Sequence, residues 1–295
     1  MSFPATTRLF AQQVRYQLLT FARSPVGMFF TLVLPLLMLV LFNALFGGDT
    51  VDSPYGAWPV RQFYTGGLAA FTAVSATYTN LVNVVPIRRD AGTLKRWRST
   101  PIATGVYLAG WIASAVIVAA GGVALQLLLG LAFYDLEISV SRLPGLLVTF
   151  LVGVGAFAAL GMGVAALVPN EDSAPAVANA TILPLAFISD TFVPMDHERP
   201  TWLKIADWLP LKPFVNAFQN VLNPLPGAPA WNWGELAIVA VWGVVGVLLA
   251  VTKFRWEPSH TTARRGRSRR GQGASAQGEA RHRGRRRGVE AVDAG

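Results

Sequence analysis

The chain has 295 residues, 53% of them hydrophobic and only 14% charged, with 25 Lys and Arg against 16 Asp and Glu for a net charge of +9. Twelve of the basic side chains follow Val251, so the first 251 residues hold just 25 charges of either sign, too few to clothe a water-soluble globule of that size. A soluble enzyme is excluded; the positive balance belongs to a tail, so it does not mark the body as a nucleic-acid binder, and no nucleic-acid partner is expected.

Near the N-terminus, Leu9, Phe10, Val14, Leu18 and Phe21 recur at three- and four-residue spacing. Arg8, Gln12, Arg15 and Arg23 punctuate the remainder, and Ser24-Pro25 closes the pattern. Residues 1–25 are therefore predicted to form an amphipathic helix lying in the cytoplasmic interface, with Arg8, Arg15 and Arg23 as its basic positions. An ordinary cytosolic lead-in is the plainer alternative.

Long runs without Asp, Glu, Lys, Arg or His come next. They predict membrane spans at about 26–46, 63–87, 105–134 and 143–168, each long enough at about 1.5 Å per helical residue to cross a hydrocarbon core of about 30 Å. Shorter runs predict a fifth span at 174–194 and a sixth at 232–251. Helices are required because lipid offers bare backbone groups no partners. A cleaved leader is disfavoured, since 25 residues with three arginines precede the first run. The fold class is thus an all-α polytopic membrane protein with six spans, carrying residues 26–251.

Between the second and third spans lies Arg88 to Pro101, RRDAGTLKRWRSTP, with five bases, one acid and a Gly-Thr turn. A positive-inside anchor needs those charges but not the Asp-x-Gly-Thr-Leu order. That order suggests a docking segment built on Arg88, Arg89, Asp90, Gly92, Thr93, Leu94, Lys95 and Arg96.

After the fifth span, Trp202, Leu203, Ile205, Ala206, Trp208 and Leu209 form an apolar cluster. Phe214, Ala217, Phe218, Val221 and Leu222 then repeat at helical spacing. Two short helices at, or dipping into, the outer interface explain a connection this apolar, although Trp and Tyr favour that interface in any case. The tail at 252–295 is rich in Arg, Gly, Ser and Ala, with almost no large apolar residue after Trp256, and is expected to be disordered. Its bases suit anionic inner-leaflet lipid.

Orientation follows from the Lys and Arg bias. With six spans, the side holding both termini carries 20 basic residues and the other side five, so both termini are expected in the cytoplasm and the protein in the cytoplasmic membrane.

Catalytic and metal chemistry find little support. Cysteine is absent, and the three histidines, His197, His260 and His282, are too scattered for a helical metal pair. No ionisable side chain lies inside the charge-free runs, Asp190 and Glu235 sitting only at their edges, which disfavours proton coupling; sodium coupling through hydroxyls and carbonyls stays open, given Ser75, Thr77, Thr79, Asn80 and Asn83 in the second span. A phosphate-binding loop needs Gly-Lys-Ser/Thr, and none of Lys95, Lys204, Lys212 or Lys253 follows a glycine. The chain is therefore expected to hold no cofactor and to hydrolyse nothing, and uphill transport would need a separate chain to supply ATP and Mg²⁺ chemistry.

These pieces resemble the membrane permease subunits of type-2 ATP-binding-cassette (ABC) exporters, including bacterial drug-efflux permeases. The resemblance runs from Arg15 to about Arg255. It is carried by Arg23-Ser24-Pro25 before a Pro35-bearing first span, Asp90-Ala91-Gly92-Thr93-Leu94-Lys95-Arg96 with Thr100-Pro101, Leu183-Pro184, Phe192-Val193-Pro194, Trp202-Leu203 and Leu209-Pro210-Leu211. It implies that the N-terminal helix and the 88–101 segment contact a separate ATPase subunit. It also implies that two permeases pair, as copies or as different chains, and that the segment after the fifth span re-enters the membrane from outside. Two departures stand out: Asp190 occupies the place after Ser189 where the family usually has Gly, and the cytoplasmic loop has one acid, Asp90, where relatives often have two.

An export permease driven by a partner ATPase is the leading expectation. Its cavity would be apolar and aromatic, with Phe29, Phe30, Phe71, Tyr78, Asn80 and Phe187 as candidate lining, suited to an amphiphilic drug or a lipid-linked molecule. The alternatives are an ion-coupled carrier or channel, and a non-transporting scaffold acting through its basic tail.

Overall fold

A computed structural model describes residues 6–92, 104–192, 194 and 201–253. Helix α1 spans Thr6–Ala22 and α2 Pro25–Phe46. A hairpin of β1 (Thr50–Ser53) and β2 (Gly56–Pro59) leads into α3, Val60–Asp90. Next come α4 (Thr104–Phe133), α5 (Leu143–Leu167) and α6 (Ala174–Ile188). A 3-10 segment, Thr201–Trp208, precedes α7 (Leu211–Leu222) and α8 (Trp233–Lys253).

Helix α3 is the centre of the bundle, buried on nearly every side. Its neighbours show it only a stripe. In α2 the buried positions are Thr31, Pro35, Leu39 and Asn43; in α6 they are Ala174, Ala178, Ile182 and Ala186. Spacing of four residues puts each set on one helix face. The remaining faces of α2 and α6 are apolar and exposed, as befits helices in lipid. Two π turns, Phe29–Val33 in α2 and Ser75–Thr79 in α3, lie against each other and give both helices a local extra residue.

Helices α5 and α8 meet most closely. A Cβ added to Gly163 would lie 2.7 Å from the Gly246 carbonyl oxygen, so only glycine permits this approach. Close backbone contact is what holds helices together where lipid supplies no hydrophobic drive. Among the small residues Gly155, Ala159 and Gly163, spaced by four along α5, the last two pack within the chain against Gly246, while nothing lies within 4 Å of the Gly155 position.

Of the expected spans, five are long and apolar enough to cross a membrane among the described residues. The expected span at 174–194 is not among them: α6 stops at Ile188 after 15 residues, about 22 Å against a core of roughly 30 Å. Asp190 ends it in the left-handed region, with φ 57°, a conformation that favours glycine. Ser189, Asp190 and Thr191 are then buried inside the bundle, where Gln219 of α7 donates to the Asp190 carbonyl at 3.3 Å.

What completes the bundle is the segment after α6. Helix α7 runs antiparallel to α8, as their paired groups show. Asn220 meets Asn232 at 3.0 Å, and Asn216 meets Glu235 at 3.4 Å. Trp242, nine residues into α8, donates its indole N–H to the Trp208 carbonyl at 2.7 Å. Trp208 thus sits about 14 Å along α8 from its start, and α7 climbs back towards the hairpin end. There Arg142 donates to the Asn220 and Ala228 carbonyls at 3.1 and 3.0 Å, capping the end of α7. This segment also carries ionisable groups within the bundle. Lys212 is buried and paired with Asp207.

Candidate functional site: the coupling end and an aromatic cleft

The end of the bundle that carries α1 holds most of the residues predicted to couple. Helix α1 lays Leu18 and Phe21 against the main core and Gln13 against the backbone of Gly110 on α4. Arg8, Arg15 and Arg23 are exposed. The amphipathic pattern therefore has a physical cause: one face packs on α4 and the other carries the charge.

Helix α3 ends at the same place, and its last residues divide sharply. Arg88 is half-buried, whereas Arg89 is buried. Arg89 donates from Nη2 to the carbonyls of Val168 and Pro169 at 2.9 and 3.1 Å, and from Nε to Asp90 Oδ1 at 3.3 Å. Asp90 Oδ2 in turn accepts the amide N–H of Glu171 at 2.9 Å. The two side chains are 5% and 1% exposed, so their charges face into the protein. Gly92 follows in the left-handed region at φ 69°, turning the chain away from α3. Thr93, Leu94, Lys95 and Arg96 lie outside the described residues.

The partner of this pair, the connection from Val168 to Ser173, was missed as a functional element because it is short and holds no base. A signal was present: Asn170 followed by Ser173 is the pattern of a helix cap, and Asn170 Oδ1 accepts the Ser173 amide at 2.9 Å.

The predicted cavity residues divide among three places. Phe71 of α3 and Phe187 of α6 both meet Phe192, with ring centroids 5.2 and 5.3 Å apart, and Phe42 of α2 completes the group at 6.2 Å. Phe187 is more than half exposed, so the group opens to the surface between α2 and α6. Deeper along α3, Tyr78 is buried in the second π turn and its hydroxyl hydrogen-bonds Thr181 of α6 at 2.7 Å. Asn80 is half-buried one helical step further.

Phe29 and Phe30 stand apart. Both are exposed in the first π turn and pack edge-to-face on one another at 5.4 Å. Phe42 and Phe192 were not predicted as lining, although Phe192 belongs to the Phe192-Val193-Pro194 stretch already noted. Clustering of aromatic rings suits binding of apolar surface.

The chain is similar to a daunorubicin resistance ABC transporter permease protein, DrrB1, of Streptomyces coeruleorubidus. The two are 29% identical over 242 residues, which cover 80% of this chain and 81% of the relative. Residues 8–223 match the ABC-2 type transporter family, a stretch that includes nearly all of α1, the Arg89–Asp90 pair, the Phe192 cluster and all of α7. The chain therefore belongs to the ABC-2 type transporter family, as a multi-pass membrane permease whose family implies an ABC ATPase partner.

Proposed function

We propose that this chain is the permease of an ATP-driven exporter that moves amphiphilic or hydrophobic molecules, of which daunorubicin is the probe suggested by its relative, out across the cytoplasmic membrane. The observation that carries the proposal is the family match spanning both the α1 end and the Phe192 cleft. The α1 end faces the cytoplasm, following the Lys and Arg bias of the sequence. A separate ATPase subunit, holding ATP and Mg²⁺, docks against α1 and the segment that follows α3, in which Arg88, Gly92, Thr93, Leu94, Lys95 and Arg96 form the outer contact. A second permease, a copy or a related chain, faces the exposed apolar sides of α2 and α6. Between them, Phe29, Phe30, Phe71, Tyr78, Asn80, Phe187 and Phe192 line the path.

The mechanism is one of differential access rather than bond-making. Nucleotide binding draws two ATPase subunits together, tilts the α3 end and shifts the cleft from inward to outward opening. An apolar, aromatic lining binds by area and shape, so one cleft accepts many flat amphiphiles. The α6 helix, with its short length and chain reversal at Asp190, forms the outer lip together with α7.

Reconstitution in vesicles tests the proposal. The permease with its ATPase is expected to move daunorubicin only when ATP and Mg²⁺ are present, and the permease alone is expected to move none. Gradient-driven movement by the isolated permease would defeat the proposal and favour a secondary carrier.

A further inference from the structure

The residues at the end of α3 are arranged for a task other than docking. A residue that recognises a partner presents its charge outward, whereas Arg89 and Asp90 keep theirs within the protein, 5% and 1% exposed. Their hydrogen bonds form one continuous chain. It runs from the last turn of α3, through the two carbonyls that follow α5, to the first amide of the turn Glu171–Ser173 that opens into α6. Charged donors and acceptors make stronger bonds than neutral ones, and buried charges hold their place only when their partners stay with them. A second tie joins the same two helices further along: the Tyr78–Thr181 bond lies 12 residues before Asp90 on α3 and ten after Glu171 on the α6 side. Two ties well separated along a helix pair prevent one helix from sliding or pivoting without the other.

We infer that Arg89 and Asp90 are positioning residues of the transport cycle. They carry a displacement of the α3 end through the α5–α6 connection into α6, the helix whose Phe187 edges the aromatic cleft. This rests on the reading that a partner acts at the α1 end, and it assigns the inner pair to transmission and the outer residues to contact. The mutual position of α3 and α6 is conserved while both move together.

The test uses the full chain co-assembled with its ATPase, and it exploits the lack of native cysteine. Single cysteines at exposed positions, Ile87→Cys on α3 and Ala176→Cys on α6, report nucleotide-driven motion through the rate of maleimide labelling with and without ATP. Into each is placed Glu171→Pro, which deletes the amide that Asp90 accepts. The turn tolerates it, because Asn170 already has φ −152° and ψ 167°, the extended geometry required before proline, and proline suits a first helical position. Glu171→Ala is the control: it removes the carboxylate and keeps the amide.

The expected result is an ATP response at both reporters in the intact chain and in Glu171→Ala. With Glu171→Pro the α3 reporter still responds, the ATPase still copurifies, and the α6 response falls by about fivefold or more. An unchanged α6 response in Glu171→Pro would overturn the inference, and so would loss of ATPase binding, since the pair would then be part of the dock. If Glu171→Pro fails to reach the membrane, Asp90→Asn takes its place. It keeps the size of the side chain but withdraws the charge from Arg89, and it must reduce the α6 response selectively or the inference falls. Silence at both reporters in the intact chain would instead count against the partner-driven reading itself.

Discussion

The ring of Phe214, in the first turn of α7, lies directly on the backbone of Gly153 in the middle of α5. A Cβ at position 153 would lie 1.9 Å from a carbon of the Phe214 ring, and Phe214 is wholly buried, with Phe157 tilted against it at 5.5 Å and Phe218 edge-on at 5.2 Å. This one contact fixes how closely α7 approaches α5.

Gly153→Ala is therefore expected to push α7 outward, at a cost of about 1–3 kcal/mol for overpacking a filled core. Thermal unfolding of the purified permease should show a clear drop in Tm. Gly155→Ala, two residues on and facing open space, should leave Tm unchanged. Equal behaviour of the two variants would remove the packing explanation.

Lys212 and Asp207 form an unequal pair, 5% and 49% exposed at their side chains. Removing the exposed partner strands a buried cation, while removing the buried one leaves an acid with access to solvent. Asp207→Ala should destabilise by about 2–3 kcal/mol, the buried-pair figure reduced for its partial exposure. Lys212→Met should cost less, and the double variant should recover much of the Asp207→Ala loss. Denaturation midpoints of the four proteins decide this; a cost for Lys212→Met exceeding that for Asp207→Ala contradicts the asymmetry.

Phe192 joins α2, α3 and α6 through three ring contacts. Phe192→Ala should lower ATP-driven daunorubicin export by about tenfold, since each aromatic pair contributes about 0.5–1.5 kcal/mol. Phe29→Ala, outside that cluster, should change export by less. Vesicle transport with matched ATPase activity separates loss of binding from loss of drive, and a larger defect in Phe29→Ala would relocate the path to the first π turn.

Deleting residues 264–295 removes ten of the basic residues of the tail. Export should persist, with at most a weakened affinity for vesicles rich in anionic lipid, because each base near the surface contributes about 1 kcal/mol of attraction. Abolished export in correctly inserted protein would show that the tail acts in the cycle.

Five helices long and apolar enough to cross a membrane were legible in the chain, because a charge-free run of that length is a property of consecutive residues. The spacing of Phe214, Ala217, Phe218, Val221 and Leu222 likewise announced α7 as a helix, and Asp190 was visible as an odd residue at a place suited to glycine. The reversal that follows α6 was not legible, since only the φ of Asp190 reveals it.

Local pattern decided that this protein lives in a membrane and where most of its helices lie. Which charges point inward was settled only when distant segments met. Arg89 and Arg88 are neighbours of one type, and nothing in their order tells that the former is sealed against Val168, about 80 residues away, while the latter is not. Nor does the chain of residues from Trp202 to Leu222 disclose its depth, which the Trp208–Trp242 bond and the bare backbone of Gly153 determine together. Burial and pairing depend on what arrives from elsewhere in the chain, and the folded bundle alone supplies it.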